Sequence, residues 1–127
     1  MRLDPEQTER LQRAYSHLIN FDDDDPSAPI EPATYRQPDG DRLMHIAALR
    51  GDLSTVALLL AAGEDVNAIG DMGLTAAHYA AIGQHREVFD LLMERGADAT
   101  IADEFGKTPP EKWASSAEEE GEHWRRR

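Results

Sequence analysis

The residues best placed for chemistry near neutral pH in this 127-residue chain are its five histidines, and there is no cysteine beside them. Two stand in matching settings, "RLMHIAA" (Arg42–Ala48) and "LTAAHYAA" (Leu74–Ala81). An imidazole so placed is a general base, a metal ligand or a buried hydrogen-bonding group. The absence of cysteine removes thiolate nucleophiles, thiolate metal sites and disulfides. "FGKT" (Phe105–Thr108) resembles the end of a phosphate-binding loop, yet the leading glycine's place holds Ile101. No Gly-x-Ser-x-Gly nucleophile turn occurs. "DDDD" (Asp22–Asp25) lacks the alternating ligands and distal glutamate of a calcium loop, and reads as a solvated acidic linker. "EGEH" (Glu120–His123) lies on a charged tail with no partner motif. The residues therefore predict no enzyme, no cofactor and no bound metal.

The spacing of the histidines identifies the elements that hold them. His45 and His78 are 33 residues apart, and sliding residues 40–69 onto 73–102 gives 8 identities in 30 positions, where average composition gives roughly two. The shared residues include Gly40/Gly73, Ala47/Ala80, Ala48/Ala81, Leu58/Leu91, Leu59/Leu92, Gly63/Gly96 and Asp65/Asp98. A third step reaches Gly106, Thr108 and Ala114. Self-similarity of this period signals stacked supersecondary units. In the second unit Thr75 is an N-cap before a small-residue helix to about Ile82, and a second helix spans Glu87–Glu94. Gly96 closes it in the left-handed conformation, and Gly63 does the same after the first unit's helices, Leu43–Arg50 and Leu53–Ala61. "NAIGDMG" and "TIADEFG" read as extended arms turning at a hairpin tip.

With these residues in view, the chain resembles ankyrin repeats. "GLTAAHYAA" with "LLMERGADAT", "MHIAA" with "LLLAAGEDVNA", and the worn "GKTPPEKWA" carry the pattern over residues 37–114. Departures are Arg42 at the capping threonine, Gln84 at a glycine and Glu111 at the third histidine, the last suggesting a capping unit. The resemblance implies an all-α solenoid of helix-turn-helix units with hairpin loops. It also implies that His45 and His78 are structural, bridging neighbouring loops, together with Thr75, Thr108, Gly63 and Gly96. The organisation expected is a capping helix (1–21), an acidic Pro-rich linker (22–36), repeats at 37–69 and 70–102, and a degenerate capping repeat with tail (103–127). The helix has its own signature: Asp4, Pro5 and Gln7 open it with a capping box, and Leu11, Tyr15, Leu18 and Ile19 make an apolar stripe to about Asn20.

The resemblance further implies a concave protein-binding groove. Its family contact positions fall on Pro38, Asp39, Asp41, Leu49 and Arg50, then Ile69, Asp71, Met72, Leu74 and Ile82, then Glu104, Phe105, Lys107 and Ser115. Acids and apolar anchors mix there, which suits a basic partner with an apolar knob. The net charge of −12, spread along the chain, repels nucleic acid and anionic lipid. The longest apolar run, "VALLLAA" (Val56–Ala62), is far short of the about 20 residues of a membrane span. The N-terminus is unlike a secretory signal, and a cytoplasmic location is expected. The function expected is a non-catalytic, monomeric protein-binding module, in its sharpest form a stoichiometric inhibitor or immunity-type protein. The alternative is a scaffold that self-associates through its stack ends.

Overall fold

A computed structural model describes residues 2–21 and 23–113. Its helices are α1 (Pro5–Ala14), α2 (Leu43–Arg50), α3 (Leu53–Ala61), α4 (Ala76–Ile82) and α5 (Arg86–Glu94). A further helical segment covers residues 109–113. Helices α2 and α4 pack side by side as one layer, and α3 and α5 pack behind them as a second. The alanine pairs explain the close approach of the first layer. Ala47, Ala48, Ala80 and Ala81 are all fully buried, and their small side chains let the facing helices approach closely. Val56, Leu59, Val88 and Leu92 extend the same core into the second layer.

Local rules account for the helix ends. Asp52 caps α3 by accepting the Thr55 N–H, and Thr75 caps α4 by accepting the His78 N–H. Gly63 (φ +94°) and Gly96 (φ +95°) follow α3 and α5 in the left-handed conformation. Gly51 ends α2 the same way at φ +75°, and Gln84, one period later, adopts φ +61°. The residue differs but the backbone requirement does not.

Two features of the sequence reading are corrected. α1 opens with the Asp4–Gln7 capping box, but it ends at Ala14 rather than near Asn20. The chain turns back there, with the Asn20 N–H donating to the Pro26 carbonyl, and Ile19 is left exposed. That reversal lets Ile30, Pro32 and Tyr35 of the supposed linker enter the core beside Leu11 and Tyr15. The arms between repeats are not strands either. Among the described residues there is a single bridge, Arg36 with Arg42. Each tip is closed instead by a backbone bond at an equivalent position: Gln37 N–H to Asp41, Gly70 N–H to Leu74 and Asp103 N–H to Lys107, each 2.8 Å.

Candidate functional site: the row of hairpin tips

The tips form a continuous row because each is bonded to the next. The Asp71 N–H donates to the Asp41 carboxylate (2.9 Å), tying the second tip to the first. The Glu104 N–H donates to the Met72 carbonyl (3.0 Å), tying the third to the second. Gly73 permits the latter approach: its φ is +75°, and a Cβ there would stand 3.0 Å from the Glu104 nitrogen.

Below the row, two imidazoles anchor the tips to the helices. His45 Nδ1 accepts the Arg42 N–H (2.8 Å), and its Nε2–H donates to the Ala68 carbonyl (2.8 Å). His78 Nδ1 accepts the Thr75 N–H (3.0 Å), and its Nε2–H donates to the Lys107 carbonyl (2.9 Å). The N–H donor facing each Nδ1 fixes the proton on Nε2. Both rings are fully buried, and burial pushes both below the usual histidine pKa, although Asp41 and Asp103 respectively pull in the other direction. Gln7 and Glu111 occupy the same place in their own turns. Gln7 Oε1 accepts the Asp4 N–H, and Glu111 Oε1 accepts the Thr108 N–H and hydroxyl proton.

The expected contact residues separate into groups. Ile69 (59% exposed), Met72 (43%) and Phe105 (68%) project from the tips, and Pro38, Asp39, Glu104 and Lys107 are exposed with them. Asp71 and Ile82 are half-buried. Leu74 is corrected: it is buried in the core at 4% exposure, because the residue that closes the second tip turns its side chain inward. Asp41 is half-buried and its carboxylate is occupied, accepting the Tyr79 hydroxyl as well as the Asp71 N–H. Arg50 is exposed at the end of α2, with its guanidinium 4.8 Å over the Tyr15 ring. Leu49 is exposed next to it, and the Leu49 carbonyl accepts from His85 Nε2 (2.9 Å). Ser115 lies outside the described residues.

Some residues that shape the row were not singled out from the sequence. Asp103 is buried, and its Oδ1 accepts the N–H groups of Phe105 and Lys107 while Lys112 Nζ sits 3.2 Å from Oδ2 as an ion pair off hydrogen-bond geometry. Burial opposes its charge, but the Lys107 N–H, Lys112 and the Phe105 N–H outweigh that and hold its carboxyl below the usual range. Lys112 also lies 5.7 Å from the Phe105 ring centre, so it helps to orient that side chain. The signal available was the position of Asp103 two residues before Phe105, the spacing of a turn-forming aspartate.

Chemically, the row offers apolar side chains and carboxylates without a reactive constellation. Among the described residues no group of three or more His, Asp or Glu is arranged to hold a metal. No helix among them is long and apolar enough to cross a membrane.

Comparison with known proteins gives a consistent result. A family model described as ankyrin repeats (3 copies) matches residues 15–110. An ankyrin repeat protein of Acanthamoeba polyphaga mimivirus is 38% identical over 69 residues, 54% of this chain and 9% of that protein. The mitochondrial disaggregase of Homo sapiens is 37% identical over 79 residues, 60% of this chain and 11% of that protein. The chain thus spans about a tenth of the length of these curated relatives.

Proposed function

The chain belongs to the ankyrin-repeat family, in general a non-catalytic protein-interaction module, and on that premise we propose that its hairpin tips bind a basic protein carrying an apolar knob. The observation that carries this reading is the exposure of Met72 and Phe105 among Asp39, Asp71 and Glu104 on one bonded row. Neither Phe105 (68% exposed) nor Met72 (43%) is fully covered by a neighbouring tip. In the proposed complex the anchors fill a pocket of the partner, while the carboxylates at the rim steer its approach. The net charge of −12 favours a cationic partner over nucleic acid or anionic lipid. The sharpest form of the proposal is a monomeric, cytoplasmic inhibitor or immunity-type protein that occludes a basic enzyme.

The test begins with a partner recovered by cross-linking in cells and purified. Phe105→Ala should shorten the complex's lifetime by about 30-fold, corresponding to about 2 kcal/mol, with little dependence on salt. Asp71→Lys with Glu104→Lys should slow association at low salt and leave the lifetime nearly unchanged. If both variants bind normally while substitutions on Ser54, Ala57 and Ala61 of α3 abolish binding without unfolding, the tips are not the docking surface. Sedimentation at two concentrations checks the monomer; a mass that doubles with concentration would favour self-association through the stack ends instead.

A further inference from the structure

We propose that the row of hairpin tips is acid-releasable: protonation of His45 and His78 frees the tips while the paired helices behind them stay folded. The inference concerns the tips themselves, whatever binds them.

The geometry makes a charged imidazole incompatible with its place. Each ring is enclosed, and each presents Nδ1 to a backbone N–H, that of Arg42 at 2.8 Å or of Thr75 at 3.0 Å. A proton on Nδ1 sets donor against donor and strands the N–H that began the helix. At His78 the Thr75 hydroxyl is also 2.8 Å from Nδ1 and could turn to accept, but the Thr75 N–H would still lose its acceptor. At His45 the capping place holds Arg42, which has no hydroxyl to turn.

What the rings hold on the other side decides where the damage goes. Nε2 of His45 carries the Ala68 carbonyl and Nε2 of His78 carries the Lys107 carbonyl, both in loops leading to or from a tip. The other ties of the tips are short-range or solvent-facing: the closing bonds, the turn bonds of Gly40 to Gln37, Leu74 to Asp71 and Gly106 to Asp103, the Asp39 and Asp103 carboxylates that accept N–H groups of their own tips, the Lys112–Asp103 pair, the Asp41 acceptor for Asp71 and the Met72 carbonyl for Glu104. The helix pairs, by contrast, are held by buried Val56, Leu59, Val88 and Leu92, whose packing does not titrate.

The charged and polar neighbours are accounted for on each side. His45 faces Asp39, Asp41 and Arg42, and its ring centre is 5.7 Å from that of Tyr79. His78 faces Asp103, Lys112 and the Thr75 hydroxyl. The aspartates favour the imidazolium, but burial outweighs them at both rings. A released tip returns its histidine to water and an ordinary pKa of about 6.5. The folded pKa lies below that, so the closed tip is fully favoured above about pH 6.5 and loses ground as pH falls from there toward the folded value.

The experiment is amide hydrogen exchange on the whole chain at pH 7 and pH 5.5, with protection corrected for the intrinsic rate. Protection at Gly70, Leu74, Asp103 and Glu104 should fall about tenfold for each histidine that must charge, while Leu59 and Leu92 keep theirs. His45→Gln combined with His78→Gln supplies the control. Gln7 fills that place in α1 without titrating near pH 6, so in the variant tip protection, whatever its level at pH 7, should not change between pH 7 and pH 5.5. Equal loss at tips and helices, no loss at the tips, or the same loss in the glutamine variant each overturns the proposal. Should that variant not fold, the imidazole nitrogen resonances of the unaltered protein decide. Nε2–H tautomers that persist until the tips open support the device, and free titration near pH 6.5 in the closed protein overturns it.

Discussion

Asp41 provides the most direct measure of how the tips are coupled. Its carboxylate accepts hydrogen bonds from two donors beyond its own repeat, the Asp71 N–H at 2.9 Å and the Tyr79 hydroxyl at 2.8 Å from both oxygens. The Tyr79 proton is shared between two oxygens and so counts as one bond. A hydrogen bond to an ionised group is worth about 1.5–3 kcal/mol. Asp41 is only half-buried, which places each bond toward the lower end of that range. Asp41→Ala should therefore destabilise the protein by about 2–4 kcal/mol. Part of the loss comes from Tyr79, 8% exposed, whose hydroxyl would be left without its partner. Burial, followed by the bond to Asp41, pushes the Tyr79 phenol above its ordinary pKa, so it remains a proton donor throughout the physiological range.

A double-mutant cycle separates the latch from a general loss of charge. Tyr79→Phe alone should cost about 1–2 kcal/mol, but made on top of Asp41→Ala it should cost almost nothing, because the orphaned hydroxyl goes with it. The coupling energy is then about 1–2 kcal/mol, within the range for residues in direct contact. Asp41→Asn keeps a carbonyl oxygen for the Asp71 N–H and should fall between Ala and the unaltered protein. Urea unfolding followed by far-ultraviolet circular dichroism, with the slope constant across variants, gives the four free energies. A cost for Asp41→Ala below about 0.5 kcal/mol, or strictly additive effects, would refute the latch.

Three further substitutions or truncations address other parts of the stack. Gly51→Ala should cost about 1–3 kcal/mol in the same urea assay, since φ is +75° and the new Cβ would stand 2.5 Å from His85 Nδ1; an unchanged midpoint would show that His85 moves aside freely. Lys112→Met should cost about 1–2 kcal/mol by leaving Asp103 buried without its ammonium, less than for a fully enclosed pair because Lys112 is 21% exposed; the loss should shrink at acid pH as Asp103 protonates. Removing residues 1–21 strips Leu11 and Tyr15 from the core and the Tyr15 hydroxyl from Asp52 (2.7 Å), and should lower the thermal midpoint or cause aggregation; unchanged cooperative melting would show α1 to be a separate tail.

The parts of this architecture that the sequence disclosed are those that compare the chain with itself. Gly63 and Gly96, the alanine pairs, and the histidines at 45 and 78 recur at one period because the same backbone problem recurs. What stayed hidden depends on contacts outside that period. Asp41 and Tyr79 are 38 residues apart and belong to different places in their repeats, so no register pairs them. Arg50 and Tyr15 are another such pair, since the ring under the guanidinium comes from an element outside the repeat register. The apolar spacing continues through Leu18 and Ile19, past the end of α1 at Ala14. The pattern cannot show that Ile30, Pro32 and Tyr35 fill the space a longer helix would need. Leu74 was misplaced for a related reason, since near a tip a shift of one residue reverses which side chain faces inward.

The capping place of each first helix shows how one position carries two kinds of work. Gln7, His45, His78 and Glu111 all accept the backbone N–H three residues earlier, so the local demand of starting a helix is met by an amide, an imidazole or a carboxylate. Only the imidazoles have a second nitrogen on the far side of the ring, carrying the proton that reaches Ala68 or Lys107. A glutamate at this place is acceptor-only when ionised and has nothing to donate to a carbonyl. A glutamine could donate, but it carries its amide on a flexible chain, so it holds donor and acceptor toward the two sides less firmly than the rigid ring does. The histidine step is therefore a signature of inter-repeat bridging rather than of helix capping or catalysis. The same two-sided demand for a neutral ring makes the tips, and not the helices, the part of this protein that acid should open first.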